Sequence, residues 1–190
     1  MGWSRDTVVV RPARLEDARR LLEIYGFYVE HTAITFEYEV PSLSEFQYRM
    51  ERTMKRYPYL ILEQDGVIQG YAYAGPFKER AAYGWSCEMT VYLEHGAQKQ
   101  GFGRMLYEEL ESRLKTMGIL NLYACIGYPE EEDHYLNRNS AQFHSHLGYR
   151  QVGRFCKCGY KFGHWYDMIW MEKIIGEHRP EQVPVRFGPQ

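Results

Sequence analysis

Glu88, Thr90 and Tyr92 stand at alternate positions of an apolar run, residues 85–93. On an extended chain they share one face, while Cys87 and Met89 take the other. A carboxylate held there suits general-base chemistry, because an ordinary amine is an ammonium near pH 7 and must lose a proton before it attacks. Downstream, Gln98-Lys99-Gln100-Gly101-Phe102-Gly103-Arg104 sets two glycines at i, i+2 immediately before a helical pattern. Glycines let the backbone approach a ligand closely, and the unpaired N–H groups and dipole of a helix start attract anions. Lys99 and Arg104 add charge that a pyrophosphate or 3′-phosphate can use. His144 carries an imidazole able to give or take a proton near neutrality.

Each feature has a plainer reading beside it. A glycine turn before a helix is common in purely structural roles, and a strand glutamate is usually a solvated surface residue. Specific alternatives fail on their own terms. The dinucleotide fingerprint lacks its third glycine, since position 106 is Leu, and no P-loop string occurs. Cys156, Cys158 and His164 offer C-x-C without a second ligand pair, so no metal site is expected. Cys87 faces away from Glu88 and lacks a base for an acyl-cysteine step. A hydrolase is disfavoured because no G-x-S-x-G elbow appears. His134 and His146 read as surface residues, the latter pointing off the face of its helix that carries His144.

The elements that must position these groups alternate along the chain. Val8-Val9-Val10 closes at Arg11-Pro12 as a first strand. Leu15, Ala18, Leu22 and Tyr25 then recur at helical spacing. Ser42 and Glu45 form a capping pattern for a second helix running to about Lys55. Asp65-Gly66 separates two apolar runs, residues 59–64 and 67–75, and is the strongest hairpin signal in the chain. After the glycine loop, Leu106, Leu110 and Leu114 mark a buried helix stripe ending near Gly118. Residues 122–126 read as a buried strand, 139–147 as a helix, and 150–160 and 165–173 as two further strands. The chain past Gly176, with Pro180, Pro184 and Pro189, reads as irregular.

Length and charge bound the rest. At 190 residues the chain suits one domain, residues 1–175, followed by a tail, residues 176–190. With 23 basic and 25 acidic residues the net charge is −2, which gives no general attraction for nucleic acid or an anionic membrane. The first ten residues are too polar and short for a secretory or spanning segment, and Met1-Gly2 lacks the Ser or Thr at position 6 of a myristoylation signal, having Asp6. Four cysteines without framework spacing are expected to be reduced thiols, so a cytoplasmic location is expected.

Set in order, these pieces resemble a known family. Gln98-x-x-Gly101-x-Gly103 resembles the Arg/Gln-x-x-Gly-x-Gly/Ala acyl-CoA loop of the GNAT acetyltransferases, and Asn139 followed by Leu147-Gly148-Tyr149 resembles their late helix. The block Tyr73-Ala74-Gly75-Pro76-Phe77-Lys78-x-Arg80-x-x-Tyr83-x-Trp85 narrows the likeness to the branch that acetylates phosphinothricin and methionine sulfoximine or sulfone. So do Glu88-x-Thr90-Val91-Tyr92 and Gly159-Tyr160-Lys161-x-Gly163-x-Trp165-x-Asp167. The likeness spans roughly residues 8–173.

This resemblance implies an α/β (α+β) GNAT fold: a mixed, mostly antiparallel sheet flanked by helices, with acetyl-CoA bound where two parallel strands splay. It implies an N-acetyltransferase acting on a small amino acid or analogue by direct transfer, with Glu88 as base and His144 as acid or base partner. Acetyl-CoA, the only cofactor expected, would be held by Val91, Tyr92, Leu93, Gln98, Lys99, Gln100, Gly101, Phe102, Gly103, Arg104 and Asn139. The amine substrate would meet Phe36, Lys78, Arg80, Tyr83, Thr90, Cys125 and Gly127, an Arg or Lys suiting its carboxylate. A homodimer is implied in the same way. The chain departs from the branch between Gly127 and His144, where an insertion carries Glu130, Glu131, Glu132 and Asp133. That acid run keeps a polyamine or other cationic amine open as substrate, or merely solubilises a loop. A non-catalytic acyl-CoA-binding module is the rival of different class.

Overall fold

In the computed structural model, residues 7–188 are described; the readings of Met1, Gly2, Arg5 and Asp6, and the last two tail residues, lie outside them. The elements follow the order β1 (Val8–Pro12), α1 (Ala18–His31), α2 (Leu43–Met54), β2 (Tyr59–Gln64), β3 (Val67–Pro76) and β4 (Ser86–Leu93). Then come α3 (Phe102–Met117), β5 (Asn121–Tyr128), α4 (Asn139–His146), β6 (Arg150–Lys161) and β7 (His164–Ile174). The strands form one seven-stranded sheet in the order β1-β2-β3-β4-β5-β7-β6.

Local chemistry accounts for most of these boundaries. Asp65 and Gly66 both take left-handed backbone angles, φ 51° and 79°, the two-residue turn whose twist suits a hairpin. Pro12 ends β1 at the sheet edge, where its missing N–H breaks no ladder. At α2, the Ser42 hydroxyl accepts the Glu45 N–H, but the Glu45 carboxylate turns to Arg49 instead of closing a capping box. Gly118, φ 99°, stops α3.

Alternation along the central strands sorts the core into two layers. Leu60 and Leu62 pack with Leu106, Leu110 and Leu114 of α3, while Tyr59 and Ile61 pack with Leu21, Ile24 and Phe46 of α1 and α2. All adjacent strands are antiparallel except β4 and β5. Those two pair only at Ser86 with Asn121, Cys87 with Leu122 and Glu88 with Tyr123. Beyond Glu88, β4 stays on β3 as far as Leu93, and β5 stays on β7 as far as Tyr128, so the sheet opens between them.

Among the described residues, the chain after β7 has no helix or strand, yet it docks on the core. Trp85 Nε1 donates to the Val183 carbonyl at 2.8 Å, Arg186 N donates to Met117 O, and the Phe187 ring lies 4.2 Å under the Arg56 guanidinium. No helix among the described residues is long and apolar enough to cross a membrane.

Candidate active site

The gap between β4 and β5 is the mouth of a cavity of about 400 Å³, and both faces of the sheet contribute to its wall. Glu88, Thr90 and Tyr92 line it from the face that carries α1 and α2, together with Thr35 and Phe36 from the segment after α1. Met89, Tyr107 and His144 line it from the α3 and α4 face. Cys125 and Gly127 of β5 complete the side opposite β4. Cys87 is fully buried against α3 and turned away from Glu88.

Glu88 is half-buried, and its carboxylate forms no hydrogen bond or ion pair among the described residues. Burial raises its proton affinity above that of a free carboxyl, and the nearby Lys78 ammonium pulls it back in part. A carboxylate so placed is a better proton acceptor than one in water.

His144 has the opposite character. It is 3% exposed, with Nδ1 2.7 Å from the Ser140 carbonyl oxygen and Nε2 3.0 Å from the Tyr107 hydroxyl. A carbonyl can only accept, so Nδ1 carries the proton and Nε2 receives that of Tyr107. Burial pushes the imidazole pKa down to about 4, so this histidine is neutral at pH 7. Tyr107 was not visible as a site residue in the sequence. Its one signal is a hydroxyl beside Leu106 on a buried helix stripe, where a phenol needs a partner.

The loop before α3 holds three left-handed residues, Gly96, Lys99 and Gly101, at φ 92°, 65° and 84°. Gly101 occupies the N-cap of α3 and brings no side chain to the first-turn N–H groups, which therefore face outward unpaired. A Cβ on Gly101 would meet no heavy atom within 4 Å, so the space over these donors is open. Gly103 serves differently: a Cβ there would come within 3.0 Å of the Phe143 ring, so this glycine lets α3 approach α4. Gln98 is exposed and folds back on the loop, its Oε1 accepting the Gly96 N–H, and Arg104 reaches Glu108 at 4.0 Å. Phe102 is buried, while Lys99, Gln100 and Asn139 are exposed.

Other expected residues are not gathered into the cavity wall. Lys78, Arg80 and Tyr83 sit on the exposed segment between β3 and β4. Lys78 Nζ lies over the rings of Phe77 and Trp170, and Phe77 stacks on Tyr123, whose register partner is Glu88. These groups therefore flank Glu88 on its own sheet face. The Leu93 carbonyl accepts from the Tyr28 hydroxyl at 2.6 Å. The acid run does not reach the cavity. Glu130, Glu131 and Glu132 are exposed, and Asp133 accepts from the N–H groups of Tyr135 and Leu136 and from the Tyr166 hydroxyl. Among the described residues no cluster of three His, Cys, Asp or Glu side chains could hold a metal ion.

Comparison with known proteins decides what this geometry belongs to. Residues 10–170 match the family model described as an acetyltransferase (GNAT) domain. The chain belongs to the GNAT acetyltransferase family. Enzymes of this family take the acetyl group from acetyl-CoA, and this GNAT chain is an acetyl-CoA-dependent N-acetyltransferase. It is 37% identical over 186 residues to the phosphinothricin N-acetyltransferase of Streptomyces viridochromogenes, covering 98% of this chain and 97% of the relative. It is 28% identical over 172 residues to an L-methionine sulfoximine/L-methionine sulfone acetyltransferase of Salmonella typhimurium, covering 90% and 96%. Among solved structures, the GNAT phosphinothricin acetyltransferase of Sinorhizobium meliloti in complex with AcCoA superposes with a TM-score of 0.84 at 30% identity, covering 94% of both chains.

Proposed function

We propose that this GNAT enzyme acetylates the amino group of a small amino acid or analogue of the phosphinothricin and methionine sulfoximine or sulfone type, by direct transfer with Glu88 as base. The observation that carries this reading is the Glu88 carboxylate: half-buried, unbonded, raised in proton affinity, and placed at the last paired residue before the sheet opens. The relatives named for phosphinothricin and for methionine sulfoximine and sulfone supply the substrate class.

The pyrophosphate fits the cradle formed by the left-handed loop residues and the first-turn N–H groups of α3, with Lys99 and Arg104 as counter-charges. When bound, acetyl-CoA supplies an electrophilic carbonyl carbon and a thiolate leaving group. Glu88 takes the ammonium proton so that the amine can attack that carbon. Charge developing on the carbonyl oxygen meets the backbone N–H groups of Val91 and Leu93, where β5 no longer pairs with β4; the N–H of Tyr92 between them is directed to β3. On the other side of the gap, the Tyr107 phenol stays protonated because burial pushes its pKa far up; to protonate the departing sulfur it turns its one O–H away from His144 Nε2, and the second proton shed by the attacking nitrogen as the amide forms restores it. His144, neutral and fixed by Ser140, orients that hydroxyl and accepts from it.

Lys78 and Arg80 receive the substrate carboxylate from the flank of Glu88, with Phe36, Tyr83, Thr90, Cys125 and Gly127 around its side chain. The acid run gives no support to a polyamine substrate: unlike Lys78, whose charge bears on the Glu88 carboxylate, Glu130, Glu131 and Glu132 are exposed and Asp133 is held by Tyr135, Leu136 and Tyr166. A thiol-release screen with methionine sulfone, methionine sulfoximine, phosphinothricin, ordinary amino acids and polyamines tests the reading. Release with the amino-acid analogues is expected; release with polyamines alone would overturn it.

We further infer that the enzyme is a homodimer of one acetyltransferase domain per chain, residues 1–175, each with a docked tail, working in the cytoplasm. The outermost strand, β6, exposes Val152, Phe155 and Tyr160, and Trp165 of β7 adds to that apolar surface. All four cysteines are free, as in a reducing compartment. Sedimentation at micromolar concentration is expected to give twice the chain mass.

A further inference from the structure

Three successive residues at the end of β6 grip the segment that follows α1. The Lys161 ammonium, 3% exposed, donates to the carbonyl oxygens of Val29, Thr32 and Thr35 at 2.8, 2.8 and 2.9 Å. The Tyr160 carbonyl accepts from the Tyr38 hydroxyl at 2.6 Å. Gly159 lies so close under Phe36 that a Cβ there would fall 2.3 Å from the ring.

A buried ammonium without a carboxylate partner is costly unless all its protons are taken up. Here three carbonyls take its three N–H groups. Val29 and Thr32 belong to the end of α1, where carbonyls lack helical partners and the helix dipole is negative, which favours a cation. Thr35 is different in kind: with Ile34 and Phe36 it lines the cavity, on the same sheet face as Glu88. The bonds of Lys161 therefore run from the helix terminus to the wall of the site. The Tyr107 and His144 pair lies with α3 and α4 across the sheet.

We propose that Lys161, together with Gly159, is the positioning device that sets the amine-side wall of the cavity, and through it the enzyme's affinity for its acceptor but not for acetyl-CoA. The inference rests on the reading of the Glu88 face as the amine side. Lys161 touches no reacting atom and acts through Thr35 and Phe36.

The test is steady-state kinetics on the full chain, with the best amine of the screen and acetyl-CoA varied in turn, and CoA binding measured by calorimetry. Lys161→Met and Gly159→Ala are expected to raise the amine KM about tenfold or more, since small misplacements of a binding wall are amplified in this way. The acetyl-CoA KM and the CoA Kd should stay within about twofold, a split that general loss of structure would not produce. If Lys161→Met does not fold, Gly159→Ala, whose added methyl meets the Phe36 ring first, carries the decision. An unmoved amine KM, or both KM values rising in parallel, would overturn the inference while leaving the proposed reaction intact. Absence of turnover by the unaltered enzyme with every amine would overturn the functional reading, and this inference with it.

Discussion

Tyr107 and His144 face each other across the α3 and α4 interface, with the phenol oxygen 3.0 Å from Nε2, and the Ser140 carbonyl at Nδ1 fixes which of them donates. Tyr107→Phe keeps the ring and removes only the donor. Turnover should fall at least tenfold with both KM values little changed, as for an interaction made mainly in the transition state. Unchanged kcat would exclude the hydroxyl from the reaction. The unpaired Nε2 should also lower unfolding stability by about 1–3 kcal/mol.

The same buried imidazole makes stability depend on pH. Its folded pKa, about 4, lies below the unfolded value of 6.5, so the unfolded chain binds the extra proton. The contribution is fully present above pH 6.5 and is lost as pH falls toward 4, amounting to about 3 kcal/mol. Urea unfolding of the protein and of His144→Gln at pH 7 and pH 5 should show a steeper loss in the unaltered chain. Equal losses would exclude a neutral buried histidine.

Glu88 shifts in the opposite direction, because its folded pKa is raised. Its ionisation therefore costs stability as pH rises through that value, and Glu88→Gln should melt at the same temperature or higher at pH 7. The same variant should lose at least a hundredfold in kcat while binding CoA normally. Retained turnover across pH 6 to 9 would remove Glu88 from the base role.

Lys78 lowers the proton affinity of Glu88 from the flanking segment. In Lys78→Ala the acidic limb of the kcat/KM profile should move to higher pH, besides any weakening of the substrate carboxylate contact. A limb that stays in place would separate Lys78 electrostatically from the base.

The two loop glycines should respond differently to alanine. At Gly101 the strain comes from φ 84° and not from crowding, so Gly101→Ala should weaken CoA binding with a modest stability loss of about 1–2 kcal/mol. At Gly103 the methyl meets the Phe143 ring, so Gly103→Ala should disturb the packing of α3 on α4 and with it the Tyr107 and His144 pair. Calorimetric titration with CoA beside thermal melts of both variants checks this. Equal effects on binding would show that Gly103 also serves the ligand.

Much of this enzyme was legible from its residues alone, and for a common reason. The Asp65-Gly66 hairpin, the Ser42 cap, the leucine stripe of α3 and the shared face of Glu88, Thr90 and Tyr92 all rest on neighbours in the chain, where backbone angles and side-chain period decide the outcome. The order of the motifs carried the family. What only the tertiary structure decided depends on residues far apart in sequence. The sheet opens after Glu88 because β4 follows β3 while β5 follows β7. Tyr107 becomes a site residue because α4 brings His144 to it, and burial by both helices makes that histidine neutral. Lys161 stands in the sequence only as one residue of the Gly159 to Asp167 block, and the packing of the end of α1 against the hairpin tip supplies the three carbonyls that bury it. Desolvation and long-range pairing are properties of the folded chain, and they turn a recognisable set of motifs into a site with a base on one side of the sheet and a buried donor pair on the other.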